Sequence, residues 1–583
     1  MTQSTSVLGV IGLGNVGEPL LQLLAATGHE VVGVDSDHAA LDRVDRRLRS
    51  LGLKDPLVTL SGDPAVLATA GLVIEAVDED LAVKSSVLRS LHELCPQDTV
   101  LVTTTALLPL SHLAAASGRP QATLGLRLAV PTAAGGTVEP VRTALSSDWS
   151  AGVLDAVLEG CGLRRAALGV APAADASALV LGFANRAAAL AASGEVGRDS
   201  IDTAMRLGCG LPVGPLELLD RIGLDTARAK LGALREATGD DSFAPAPVLA
   251  EMIARGRTGR KARAGFHDYD ECGDRAVAEQ PVAGGAGAAR VASVGVLGSG
   301  AMARGIAEVM ASAGIRTVLV ARDRLKAEAT VAAVGDSLTR AVRRGRVTPE
   351  DRRAALELLV PASDVAAVAD CDLVVEAVVE DLAVKREVFA ALGRHCKPST
   401  VLATTTSSLP VTACAVASGR PGQVVGMHFF NPAPVMKLVE VVSTEVSDEA
   451  AVSLARDVCA RLGKTVVDCG DRAGFIVNYL LFPYLADAIR LLERPDTDIV
   501  ATDEAVQQGY GFPMGPFLLL DTIGLDVSVA ILRRLHGEFA TRDFVPPAML
   551  ERLVSDGALG RKNGRGFHTA RWSRTEQTAR VLG

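Results

Sequence analysis

The chain repeats itself. LVIEAVDEDLAVKSSVL at 72–88 returns as LVVEAVVEDLAVKREVF at 373–389, identical at 12 of 17 positions and displaced by 301. The same displacement carries ASGRP at 116–120 to 417–421, GLPVGPLELLDRIGLD at 210–225 to GFPMGPFLLLDTIGLD at 511–526, and GFH at 265–267 to 566–568. A register held over that span is a tandem duplication, so the fold must use one unit twice. Near the start of each copy the displacement is only 286, from Gly12 to Gly298, so the first copy lacks 15 residues between roughly 40 and 70. The second copy has VGDSLTRAVRRGRVTPEDRRAALELLV at 334–360 there, and the first has only LRSLGLKDPLV. Between the copies, EQPVAGGAGAA at 279–289 has the composition of a flexible linker.

Each copy divides again. Its first part alternates short β-branched runs (VLGVIGLG, EVVGVDSD, LVIEAV, TVLVTTT) with helical patterns, which predicts a parallel sheet covered by helices on both faces. Its second part carries longer helical patterns and reads as a small helical domain. The expected division is 1–169 and 170–271 for the first copy, a linker at 272–291, then 292–470 and 471–583 for the second. Hydrophobic residues make up 48% of the 583 and charged residues 22%, which suits globular domains rather than a disordered chain. The net charge of −9, with only 2 Trp, 4 Tyr and 13 Phe, argues against a nucleic-acid or anionic-membrane binder. No apolar run in the sequence reads as the ~18 residues of a membrane span. The nine Cys form no CxxC or zinc spacing, so no metal site is expected and the thiols read as reduced. These features, with no cleavable leader pattern, give the expectation of a cytoplasmic protein.

VGVLGSGAMARG at 294–305 leads a β-type run into Gly298, Gly300 and Ala303 and then opens a helical pattern. The first small residue permits a tight turn, the second lets the backbone approach a pyrophosphate, and the third lets helix pack on strand. The helix N-terminus then faces the phosphates. A dinucleotide is therefore the expected ligand, and Gly12, Gly14 and Gly17 make the full fingerprint in the first copy. An acid ending the next strand would bond the ribose 2′-hydroxyl. The first copy has Asp35 there, whereas the second has Ala321 and Arg322. Losing the acid and gaining a guanidinium suits a 2′-phosphate, so the second copy is expected to accept NADP as well as NAD. The alternative is a solvated Arg322 beside bound NAD.

GMHFFNPAPVMKLVEVV at 426–442, with TTTSSLP at 404–410, VVEAVVEDLAVK at 374–385, AGFIVNYLL at 473–481 and GRKNGRGFH near the end, resembles the 3-hydroxyacyl-CoA dehydrogenase family, of the 3-hydroxybutyryl-CoA type. The resemblance runs from Val291 to about Thr569. It implies a Rossmann-like domain followed by a helical domain like the C-terminal domain of 6-phosphogluconate dehydrogenase. It also implies hydride transfer between C3 of a short acyl-CoA and a nicotinamide. His428 is then the general base, a task suited to a pKa near neutrality, and Glu440 orients it. Ser407 and Asn478 hydrogen-bond the reacting oxygen. Asn431, Glu380 and Lys385 line the nicotinamide ribose, unless the last two are a plain surface ion pair. Lys562 closes over the cofactor. Ser337 and Arg344 hold coenzyme A, and Arg340, Arg343 and Arg344 share one face if 337–346 is helical. The alternative there is a solvated charged face.

At the displacement of 301, His428 corresponds to Arg127, Asn431 to Val130, Ser407 to Ala106 and Asn478 to Ser177; only Glu440 meets its like, Glu139. An arginine stays protonated and cannot act as a base near neutral pH. The first copy is therefore expected to be inactive, although Asp35, Glu79 and Lys84 leave open either a bound NAD or an empty pocket. The two copies are expected to pack as a pseudo-dimer within one chain, with further self-association left open. Two other readings remain: a dehydrogenase of a free hydroxy acid, and a non-catalytic nucleotide-binding regulator.

Overall fold

The computed structural model describes residues 7–53, 57–105, 108–128, 137–165, 170–271, 273–276, 291–494 and 497–568. The glycine-rich stretch 279–289 lies outside them. The first sheet comprises β1 (Val7–Ile11), β2 (Val31–Val34), β3 (Val58–Ser61), β4 (Ala70–Glu75), β5 (Val100–Thr103), β6 (Thr123–Leu128), β7 (Thr137–Val141) and β8 (Arg164–Arg165). The second comprises β9 (Ser293–Leu297), β10 (Arg316–Val320), β11 (Leu359–Ala362), β12 (Leu373–Glu376), β13 (Val401–Thr404), β14 (Val424–Phe429), β15 (Leu438–Ser443) and β16 (Thr465–Gly470). Both have the same order, β3-β2-β1-β4-β5-β6-β7-β8 and β11-β10-β9-β12-β13-β14-β15-β16. Six parallel strands in this order form a Rossmann-like sheet, with its ligand crevice at the switch point between β1 and β4 or β9 and β12. The seventh strand runs antiparallel to the sixth. Every residue of β12, β13 and β14 is buried, which explains their unbroken apolar runs: helices cover both faces.

The 15-residue difference has a structural form. In the second copy the helix Arg324–Arg343 is followed by a second helix, Pro349–Glu357, before β11. In the first copy the helix His38–Ser50 stops short, and the chain reaches β3 without a counterpart of the second helix among the described residues.

Among the described residues, each sheet is followed by helices with only isolated β-bridges near their ends. The strongest shared motif explains itself there. Asp202 accepts from the backbone N–H groups of Leu216 and Glu217 at 2.8 and 3.0 Å, and its carboxylate also meets His267 Nε2 at 2.7 Å. Asp503 does the same for Phe517, Leu518 and His568 at 2.9, 2.9 and 2.7 Å. A Cβ on Gly515 would come within 2.3 Å of the Asp503 side chain, so the glycine is required by close approach. The repeated G-x-P-x-G-P and GFH segments thus cap one helix N-terminus and tie the chain end to it.

The two helical domains share one hydrophobic core. The helix Val170–Ser193 lies against Val477–Leu491 and Ile499–Tyr510 of the other copy. Phe183 packs with Tyr484 and Phe512, ring centroids 5.7 and 6.4 Å apart. Arg186 pairs with Asp487 and, at 3.4 Å, with Asp543; Arg494 reaches Asp175 at 2.8 Å. One expectation changes here. The segment Asp175–Ser193 is long and apolar enough to cross a bilayer, with a mean hydropathy of 1.3. Asn185 and Arg186 interrupt its apolar run in the sequence. About 67% of its most apolar stretch is buried inside the protein, where the other copy covers it.

Candidate active site

His428 and Glu440 are 12 residues apart but face one another across the antiparallel β14–β15 pair. His428 Nδ1 lies 2.6 Å from Glu440 Oε2, and the two residues are 6% and 0% exposed. The other carboxylate oxygen accepts from the backbone N–H groups of Ile476 and Val477 at 3.1 and 3.0 Å. These open the helix Val477–Leu491, whose N-terminal dipole favours a carboxylate. With its carboxylate held from two sides, Glu440 fixes the imidazole ring and leaves Nε2 for another partner. Phe430 and Phe475 flank the ring, with centroids 4.6 and 5.5 Å away.

The first copy keeps this register with different chemistry. Arg127 stands opposite Glu139, and the guanidinium is 3.5 Å from the carboxylate. Burial pushes the Glu139 carboxyl up and Arg127 opposes that shift. Ala106 and Val130 lie outside the described residues.

Around the dyad, the Asn478 amide donates to the Ser407 carbonyl at 3.3 Å, so the two adjoin. Ser407 is itself tied to Glu380 Oε1, by its N–H at 2.9 Å and its hydroxyl at 3.3 Å, and Thr406 Oγ1 adds a third donor at 2.6 Å. Partial burial pushes the Glu380 carboxyl up, but Lys385, Thr406 and Ser407 outweigh it and hold the group below its usual value. Lys385 is not part of a surface pair. It is 1% exposed, and its ammonium lies 2.8 and 3.0 Å from the two oxygens of the fully buried Glu376, with Glu380 at 3.3 Å. Thr404 Oγ1 and the Val378 N–H complete the Glu376 shell at 2.8 Å each. Glu376 was not singled out in the sequence. Its signal is an acid inside an apolar run, LVVEA here and LVIEA in the first copy; Glu75 and Lys84 form the same buried pair at 2.8 Å.

The glycine turn fits a dinucleotide. Gly298 has φ +130°, and a Cβ there would lie 2.3 Å from the Ala377 carbonyl oxygen. A Cβ on Gly300 would meet nothing within 4 Å, so its backbone borders open space. Ala303 is fully buried beneath the turn. Ala321 and the exposed Arg322 follow β10, and Asn431 is exposed after β14. Lys562 is bound to Asp526 at 2.7 Å beside the Gly524 turn.

A cavity of about 590 Å³ opens between the helices Ala301–Ser312 and Arg324–Arg343. Ser337 and Arg344 line it, as do Arg340, Arg346, Arg461 and Lys464. The expected single face of Arg340, Arg343 and Arg344 is corrected: the helix ends at Arg343, Arg344 caps it, and Arg343 is absent from the lining. Ser337 also hydrogen-bonds Glu308, whose carboxyl burial pushes up. Arg461 and Lys464 come from sequence far away and were not expected. Both are already engaged, Arg461 with the Val291 carbonyl at 2.8 Å and Lys464 with those of Ala433 and Met436 at 2.6 and 2.7 Å.

The family described as 3-hydroxyacyl-CoA dehydrogenase, NAD binding domain, matches residues 7–162 and 293–472, and its C-terminal domain matches 176–269 and 474–570. A 3-hydroxybutyryl-CoA dehydrogenase of Mycobacterium tuberculosis is 46% identical over 282 residues, covering 47% of this chain and 97% of that one. A 3-hydroxyadipyl-CoA dehydrogenase of Escherichia coli K12 is 42% identical over 288 residues, 49% of this chain and 60% of that one. The crystal structure of 3-hydroxybutyryl-CoA dehydrogenase from Escherichia coli K12 aligns over 95% of this chain and 99% of its own, at 20% identity and a TM-score of 0.53, which speaks for the fold. With both family domains present twice, the chain belongs to the 3-hydroxyacyl-CoA dehydrogenase family and is a nicotinamide-dependent oxidoreductase.

Proposed function

We propose that the second copy alone is catalytic and that it interconverts a short-chain 3-hydroxyacyl-CoA and its 3-ketoacyl-CoA. The observation that carries this reading is the 2.6 Å His428–Glu440 pair, set against Arg127 in the same register of the first copy. His428 Nε2 takes the proton of the 3-hydroxyl, and Glu440 stabilises the resulting imidazolium. The nicotinamide supplies acceptance or return of the C3 hydride. Ser407 and Asn478 hydrogen-bond the reacting oxygen and hold C3 in line. Glu380, with Lys385 behind it, and Asn431 hold the nicotinamide ribose, and Lys562 closes the cleft. The cations around Ser337 and Arg344 receive the coenzyme A phosphates, which an acidic protein must meet with local positive charge. The shared helical core is that of an internal pseudo-dimer.

Gly298, Gly300 and Ala303 seat the dinucleotide, and Arg322 without an acid lets NADP bind as well as NAD. Acetoacetyl-CoA reduction assayed with NADPH and NADH side by side tests both points. Turnover is expected with both cofactors. No turnover removes the substrate reading, and a strong NADH preference removes the role of Arg322.

The first copy supports the site from outside. Gly208, on its helix Arg198–Cys209, sits so close to the second copy that a Cβ would lie 2.9 Å from Val477, 3.1 Å from Leu438 and 3.5 Å from Phe430. Phe430 rests on His428, and the Val477 N–H holds Glu440. Gly208→Val is expected to lower kcat roughly ten- to a hundredfold by shifting the dyad. Full kcat in that variant would show that the contact has slack.

A further inference from the structure

The two helical domains meet across a local two-fold axis. A Cβ on Gly210 would lie 3.3 Å from Pro513, and one on Gly511 would lie 3.2 Å from Pro212. These are one contact made twice, since the displacement of 301 carries Gly210 to Gly511 and Pro212 to Pro513. A residue on such an axis meets its own counterpart. Phe183 does so, with its ring centroid 5.7 Å from that of Tyr484. About one helical turn further on, Arg186 pairs with Asp487. Both pairs are 301 residues apart. The axis position therefore carries a cation in the first copy and an anion in the second.

The Arg186 side chain is 11% exposed, and its guanidinium also has Asp543 at 3.4 Å. Asp487 is shared with Arg490 at 2.7 Å. Further out, Asp240 of the first copy meets Arg542 of the second at 2.5 Å, and Asp175 meets Arg494 at 2.8 Å. Neither of these outer pairs is made twice. The two-fold-related positions hold Asp241 with Thr541 and Ser193 with Ile476.

Two first copies joined in this geometry would set Arg186 against Arg186 and Asp240 against Asp241, and Asp175 would face Ser193 in place of Arg494. Two second copies would set Asp487 against Asp487, with Asp543 close to each. Arg542 would then face Thr541, and Arg494 would face Ile476. The apolar contacts discriminate less, because both axis rings are aromatic. A buried ion pair adds little net stability over apolar packing, but like charges brought face to face reject a partner. The shared core thus supplies the attraction, and the charges decide which copy receives it.

We propose that Arg186 and Asp487 set partner choice at the helical face, so that each copy accepts the unlike copy, in its own chain or in a second one, and rejects another of its own kind. This goes beyond the internal pseudo-dimer, and the catalytic reading of the second copy does not depend on it.

Two full-chain variants test it. Arg186→Asp places two acids on the axis, and Asp487→Arg places two cations there. If these two chains exchange copies, opposite charges return at both interfaces, native at one and reversed at the other. Arg490 and Asp543 are present at every interface and do not distinguish the arrangements. A tagged Arg186→Asp chain is co-expressed with an untagged chain and captured. It is expected to hold an equimolar amount of Asp487→Arg, roughly tenfold more than of untagged Arg186→Asp, because like charges suppress the wrong partner. Equal capture of the two, or no capture of Asp487→Arg, would overturn the proposal. If Arg186→Asp is insoluble alone, Asp487→Arg must bring it into solution, and failure to do so counts equally against the idea. Melting curves of single chains give a second reading. Arg186→Lys should melt near wild type, Arg186→Met lower, and Arg186→Asp lowest. An Arg186→Asp chain melting no lower than Arg186→Met would show that the sign of the charge is irrelevant, which also overturns the proposal.

Discussion

Replacing His428 by Gln is expected to lower kcat for acetoacetyl-CoA reduction by about 10²–10⁴-fold, the range for loss of a positioned general acid–base. The variant should remain folded. Glu440 keeps the N–H groups of Ile476 and Val477 when the imidazole is gone, so its buried charge is still hydrogen-bonded. A melting curve near that of wild type, measured beside the kinetics, separates lost chemistry from lost structure. Arg127→Gln is the internal control, because it alters the matching position of the first copy. Its kcat should stay close to wild type. Full activity in His428→Gln, or its loss in Arg127→Gln, would remove the assignment of catalysis to the second copy.

Lys385→Met is expected to destabilise the second sheet domain by about 3–5 kcal/mol, the cost of breaking one side of a buried pair. Glu376 is completely buried, and after the change it keeps only the Thr404 hydroxyl and the Val378 N–H. An unpaired carboxylate in that setting is the main penalty. The double variant Glu376→Leu, Lys385→Met removes both charges and should recover most of the loss, since two apolar side chains of similar volume can replace a buried pair. The chain has several domains, so calorimetry has to follow the transition that moves rather than a single global unfolding. Equal stability of Lys385→Met and wild type would mean that water reaches Glu376. The matching Lys84→Met in the first copy should lower a different transition, because Lys84 and Glu75 form the same pair in the other sheet.

The Glu376–Lys385 pair also shows where sequence reading stops. Nine residues separate the two, one in a strand and one on the following helix. The acid stands in plain view inside an apolar run, yet the pairing that spacing offers Lys385, as the alternative to a place at the ribose, is Glu380, five residues before the lysine. Glu380 does contact Lys385 at 3.3 Å, but it also gathers Thr406 and Ser407 and so joins the loop after β13 to the loop after β12. Spacing along a chain cannot rank two acids that the fold brings to one cation. The basic segment shows the same limit. Ser337, Arg340 and Arg344 were legible because they share about two helical turns, whereas Arg461 and Lys464 enter the same cavity from more than 100 residues away.

The duplication, the alternation of strands and helices, both glycine turns and the split between Asp35 and Arg322 were determined by the sequence alone. Each is a local pattern, set by side-chain periodicity or by the backbone freedom of a few adjacent residues. The partnership of His428 and Glu440 could be named from resemblance, but its geometry came from the antiparallel register of β14 and β15. Only the tertiary structure decided that Gly208 of one copy presses on Phe430 and Val477 of the other. Those contacts join residues more than 100 positions apart, and they exist because two similar helical domains bury their apolar faces in one core. The chain encodes that burial as composition; which atoms meet within it is settled by close packing in three dimensions.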